Sequence, residues 1–130
     1  MWIRLDDGFA DHRKFFEDPL HGAICQLIQV RALCWAGRYL TDGHLPVHII
    51  SKFLVGLEHI GIVDGTVGQD ASEIDWAAQM ISSGLWDKTV SGYRIHDYLD
   101  YNPSKKEYRE LIEKRKQSGK AGGQASAQAR

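Results

Sequence analysis

An α+β fold, mostly α, is the class this sequence predicts, and three observations carry the prediction. Apolar residues recur at helical spacing through three stretches between residues 18 and 84. Two short extended runs follow at once and meet at Ser91-Gly92, and a charged helix begins after Pro103. A chain of 130 residues has room for one core. The expected organisation is therefore a domain over residues 1–101, a basic helix over 102–118 and a flexible Gly/Ala/Ser-rich tail over 119–130.

The opening "MWIRLDDGFADHRKFF" alternates Trp2, Arg4 and Asp6 with Ile3 and Leu5, which suits a short strand ending at an Asp7-Gly8 turn. "DPLHGAICQLIQVRALCWAGRYL" reads as the first helix, with Asp18 as cap and Pro19 in the first helical position. Its polar residues form only two narrow stripes, Gln26 with Gln29 and Arg31 with Arg38, so it is expected to pack on more than one side at the centre of the domain. Asp42-Gly43 is a turn signal. Pro46 can then open a second helix over residues 46–61, with Ile49, Ile50, Phe53, Leu54, Leu57 and Ile60 inward, His48, Lys52 and His59 outward, and Gly61 at its end.

"IVDGTVGQD" reads as a loop or a small hairpin. A third helix follows, capped by Asp70 or Ser72, with Glu73 in its first turn, Ile74, Trp76, Ala77, Met80 and Ile81 inward, and Gly84 closing it. The runs "LWDKTV" and "GYRIHDY" form a hairpin with Tyr93 and Ile95 on one face and Arg94 and His96 on the other. Pro103 and the Ser104-x-x-Glu107 box start a fourth helix, supported by Lys106–Glu110 and Glu110–Lys114 pairs. Three helices followed directly by a two-stranded hairpin wing, with a C-terminal basic helix behind it, is the layout of a winged helix-turn-helix.

Composition narrows the function classes. Hydrophobic residues are 43% and charged residues 25% of the chain, values at which most of it should fold. No run approaches the length of a membrane span and the start lacks the layout of a secretory signal, so a soluble protein in the bacterial cytoplasm, without a membrane partner, is expected. Cys25 and Cys34, nine apart, are expected to be buried, unpaired small hydrophobes. The histidines lack zinc-ligand spacing and no nucleophile pairs with a base, so neither a metal, a cofactor nor an enzyme activity is expected. Charge is divided unevenly. Residues 1–100 hold eight Lys or Arg against fourteen Asp or Glu, whereas residues 101–130 hold eight against three. An acidic partner would be attracted to the C-terminal part.

Four segments, "WIRLDDGFADHRK", "RALCWAGRYLTDGHLP", "MISSGLWDKTVSGYRIHDYLDYNPSKKEY" and "KRKQSGKAGGQASAQAR", together resemble the amino-terminal module of bacteriophage replisome-organiser and replication-initiation proteins of the actinobacterial phage type. The resemblance spans nearly the whole chain. It implies a winged helix that binds double-stranded origin DNA in a host bacterial cell. It also implies a second domain, beyond the Gly/Ala/Ser-rich segment, that contacts a helicase or helicase loader.

Phosphate neutralisation by Lys and Arg supplies most non-specific DNA affinity, so the candidate contacts are the basic residues. They are Lys52 on the second helix, Lys88 and Arg94 on the hairpin, and Lys105, Lys106, Arg109, Lys114, Arg115, Lys116 and Lys120 behind it. Arg4, Arg13 and Lys14 add charge near the start. Gln79, Ser82 and Ser83 on the third helix, with Thr89 and Ser91 on the hairpin, carry groups able to read base edges. The third helix would enter the major groove, yet Asp70, Glu73 and Asp75 crowd its start, an arrangement the helix dipole also explains. That acidity suits an alternative, a phage adaptor binding a host replication or transcription protein through its acidic winged-helix surface. Oligomeric state is left open.

Overall fold

The computed structural model describes residues 2–16, 19–57, 61–62, 69–70 and 74–128. Its elements run α1 (Pro19–Tyr39), β1 (His44–Pro46), α2 (Ile50–Phe53), β2 (Gly61–Ile62), β3 (Gln69–Asp70), α3 (Trp76–Ser82), β4 (Trp86–Thr89), β5 (Gly92–Ile95), α4 (Tyr98–Tyr101) and α5 (Lys105–Gln128). The fold is α+β and mostly helical, with a three-stranded antiparallel sheet in the order β1-β5-β4, compatible with a winged-helix layout.

α1 is the central element, but it buries one broad stripe rather than several sides. Ile24, Cys25, Ile28, Gln29, Ala32, Leu33 and Ala36 face the core, at the i, i+3, i+4 spacing of a single helix face. Ala23, Leu27, Cys34 and Arg38 form the opposite, exposed side, so Cys34 departs from the expected burial while Cys25 conforms to it; both are free. Gln29, expected beside Gln26 on a polar stripe, is instead buried, and its Oε1 accepts a 2.8 Å hydrogen bond from Trp86 Nε1. Gln26 reaches the other way, donating to Ala10 O at 2.9 Å.

The expected N-terminal strand does not form. Residues 2–6 find a side-chain partner where a strand would need a ladder, Arg4 N donating to Asn102 Oδ1 at 3.1 Å, and the chain continues through 3-10 turns at Phe9–Asp11 and Arg13–Phe15. The second helix is far shorter than residues 46–61. A 3-10 turn at Val47–Ile49 leads into the four residues of α2. Ile49, Phe53 and Leu57 are buried as the spacing requires. What stops the helix is Arg31, whose Nη1 donates to Phe53 O at 2.8 Å and Val55 O at 2.7 Å, carbonyls that a continuing helix would use, while Gly56 turns the chain at φ +92°.

Residues 61–62 and 69–70 pair antiparallel, Gly61 opposite Asp70, which realises the small-hairpin alternative. Asp70 is therefore a strand residue and not a cap. The cap of α3 is Asp75, whose side chain accepts from Ala78 N at 3.1 Å, so the helix starts later than residue 70. The expected roles of Asp18, His59, Ser72 and Glu73 lie outside the described residues.

The hairpin forms as expected, with Trp86 opposite Ile95 and Thr89 opposite Gly92, and it gains a third strand. β1 pairs with β5 through Leu45 opposite Tyr93 and Pro46 opposite Gly92. Gly92 is thus the crossing point of two strands rather than a turn residue: a Cβ there would lie 2.3 Å from Leu45 O. Inside the sheet, Trp86 meets Phe53 at 6.3 Å and Tyr93 at 5.6 Å between ring centroids.

Two outcomes follow from these contacts. Replacing Gln29 by Met keeps the volume but orphans the buried Trp86 N–H, which should lower unfolding free energy by about 1–3 kcal/mol in a denaturant titration with an unchanged m value. Tyr98 is buried against Gly43, and burial, then the nearby Asp42 carboxylate, raises its phenol above the ordinary 10.0. The fold holds that proton more tightly than the unfolded chain does, so the contribution is complete below about pH 10 and is lost as pH rises through the folded pKa. Thermal melts of Tyr98→Phe should show a weaker decline above that pH than the parent; parallel declines would refute the assignment.

Candidate nucleic-acid interface

The outward face of the sheet carries His44, Arg94 and Asp87 in cross-strand register, with Arg94 in the middle strand. Asp87 is engaged by His96, whose Nδ1 lies 2.9 Å from Asp87 Oδ2 and whose Nε2 lies 3.3 Å from Asp97 Oδ1. His44 Nε2 and Ser91 Oγ are 3.2 Å apart. Arg94 therefore stays exposed beside a carboxylate that a histidine already occupies. Lys88 is opposite Tyr93 and so projects from the other face of the hairpin. The two wing cations do not form one patch.

The third helix offers less than its sequence suggested. Ser82 Oγ donates to Gln79 O and Ser83 Oγ to Met80 O, both at 3.1 Å, so both hydroxyl protons are spent on the helix's own carbonyls. Gln79 is half-buried. Thr89 Oγ1 is buried with no hydrogen-bond partner among the described residues. The acidic start is reduced as well, because Asp70 belongs to β3 and Asp75 acts as the cap. From Trp76 to Ser83 there is no charged residue.

The basic group belongs to α5, which is anchored at one end. Ser104 Oγ accepts from Glu107 N at 3.1 Å, the expected cap, and Asp42 Oδ1 accepts from Lys105 N at 2.6 Å. Tyr108 and Ile112 are half-buried, and residues 113–124 are all exposed. Lys105, Lys106, Arg109, Lys114, Arg115, Lys116 and Lys120 are exposed too, and among the described residues none lies within 4 Å of a carboxylate. The expected Lys106–Glu110 and Glu110–Lys114 pairs are accordingly not closed.

α5 also continues through Gln128, across residue 118, where a change to flexible tail was expected. Its 24 residues span about 36 Å.

Other cations have structural duties. Lys14 Nζ donates to Gly84 O at 2.9 Å, at the carboxyl end of α3, and Arg31 terminates α2. Lys52 is exposed on α2. Sequence reasoning missed Asp42, which receives the first residue of α5, and Asn102, which ties the end of α4 to the N-terminal segment. Asp42 carries an Asp-Gly turn signal that masks its second task, and Asn102 bonds to a residue 98 positions away.

No family model, curated protein or solved structure matches the chain.

The distal helix has a checkable property. Gly119, Gly122 and Gly123 each cost about 1 kcal/mol relative to Ala in a helix interior, and a Cβ at any of them would meet nothing within 4 Å. The triple Gly→Ala variant should therefore show stronger far-ultraviolet helical signal at an unchanged core melting temperature. An unchanged helical signal would count against the account of this end of the helix.

Proposed function

We propose that this chain is a DNA-binding protein of winged-helix layout, resembling the origin-binding module of phage replication initiators, and that it contacts the phosphate backbone through its hairpin and its C-terminal helix. One observation carries the reading: seven cations of α5 stand exposed and without a carboxylate partner among the described residues, on a helix that starts beside the sheet. Counterion release by such a group supplies sequence-independent affinity for a polyanion. The sheet order β1-β5-β4, with α3 leading directly into β4, supports the same reading because it presents a hairpin next to a short helix, as winged helices do. Asp70 belongs to β3, so one of the three carboxylates that suited the adaptor alternative stands apart from the start of α3, while the exposed Asp75 remains there.

Selectivity among sequences would have to come from a small set of groups on α3, chiefly Gln79 and the acceptor lone pairs of Ser82 and Ser83. Most of the affinity is thereby assigned to backbone contacts. In a fluorescence-anisotropy titration with a short duplex, log K should fall linearly with log salt, with a slope of about −4 to −6 for four to seven phosphate contacts. Absence of binding at low salt would sink the proposal.

A further inference from the structure

The cations of α5 are not spread evenly around it. At about 100° per residue, Lys105, Arg109, Lys116 and Lys120 fall within roughly 60° of arc, whereas Lys114 and Arg115 point about 120° and 220° away from the last of them. Glu113 and Lys106 border the row, about 20° and 40° beyond Lys120, so one carboxylate flanks the gap between Arg109 and Lys116. The side turned toward the domain is marked by the half-buried Tyr108 and Ile112, which lie just beyond the other border. The row of four is therefore beside the packing side and open to solvent along its length. From Lys105 to Lys120 it covers about 22 Å of helix axis, with one-turn spacing at each end.

We propose that this row is a phosphate-tracking edge: Lys105, Arg109, Lys116 and Lys120 lie along the sugar-phosphate backbone of a DNA duplex, while Lys114 and Arg115 act only through bulk charge. The inference rests on the DNA-binding reading above and specifies its surface. The chemistry of the row fits a regularly charged polyanion. Within its arc stand long cationic side chains, Gly123 and Ala127, with no amide or hydroxyl side chain to read a base, so it positions without specifying. A lipid surface is the weaker match, because past Ile112 the helix has Gly, Ala, Ser and Gln where a membrane-bound amphipathic helix needs bulky apolar residues.

The test compares charge-matched pairs in the full chain. R109Q/K116Q removes two charges from the row, and K114Q/R115Q removes two from the same region but off it. All four residues are exposed, and circular dichroism checks that both variants fold. Salt-series anisotropy with two unrelated duplexes of equal length should show the row variant losing about 1.8 from the magnitude of the slope on both duplexes and binding at least about tenfold more weakly at moderate salt. The off-row variant should keep a slope near that of the parent. Equal losses in the two variants would overturn the edge and leave the DNA-binding reading standing. Failure of the parent to bind either duplex would remove that reading itself. Binding to anionic phosphatidylserine vesicles with the same dependence on the row, and none to duplex, would reassign the surface to membranes and overturn the proposal.

Discussion

The buried hydrogen bond from Trp86 to Gln29 is the contact on which the arrangement of this fold depends. An indole N–H inside a core must find an acceptor, and the cost of leaving it without one exceeds the net gain of an ordinary hydrogen bond. The bond therefore fixes the depth and rotation of β4 against α1. Phe53 packs on the same indole, and its carbonyl is held by Arg31 two residues along α1 from Gln29. Two polar side chains of one helix thus locate both the hairpin and the short helix α2. An amphipathic surface alone would let either element slide.

From the hairpin the geometry passes to the charged helix by a short chain of contacts. β1 closes on β5 at Gly92, where only a hydrogen fits against Leu45 O. Ile95 N then donates to Gly43 O at 2.9 Å, and Tyr98 packs on Gly43. Asp42, the residue before Gly43, accepts from Lys105 N. Asn102 meanwhile joins the N-terminal segment to α4, accepting from Arg4 N and donating to Tyr98 O at 3.3 Å. The first turn of α5 is consequently held by Asp42 and by its own Ser104 cap. A cut after residue 101 would remove Asn102 and the Asp42 contact, so the helix is continuous with the domain at its base.

Local signals in the sequence sufficed where the structure is local. The turn at Asp42-Gly43, the inward Tyr93 and Ile95, and the Ser104 box all depend on residues within a few positions. What was hidden depends on distant partners. β1 has three residues, ends in Pro46 and looks like a loop, because its stabilising partner is about 48 positions away. The second helix was read too long since Phe53 and Leu57 keep a helical spacing through a turn, and nothing local announces that Arg31 will take the carbonyls. Gly92 looked like turn chemistry because steric need at a strand crossing leaves no sequence mark of its own. At the candidate site the cationic residues were legible from charge alone. Their sorting into an edge and two outliers required the helix to be continuous past residue 118.

The partition of charge acquires a physical meaning once the helix is seen to project. Residues 1–100 carry a surplus of acid, which repels a polyanion, and a basic cluster folded back onto them would be partly cancelled. Ionic screening limits that cancellation to about 8 Å at physiological salt. Residues 113–124 of α5 are all exposed, and Lys120 stands about 12 Å along the axis from the half-buried Ile112. Lys120 thus lies more than one screening length beyond the body's negative field, while the cations from Lys105 to Lys116 lie within it. The body sets where the helix points, and the helix's length separates attraction from repulsion. A shorter arm with the same residues would be a poorer ligand for phosphate even though its net charge were identical.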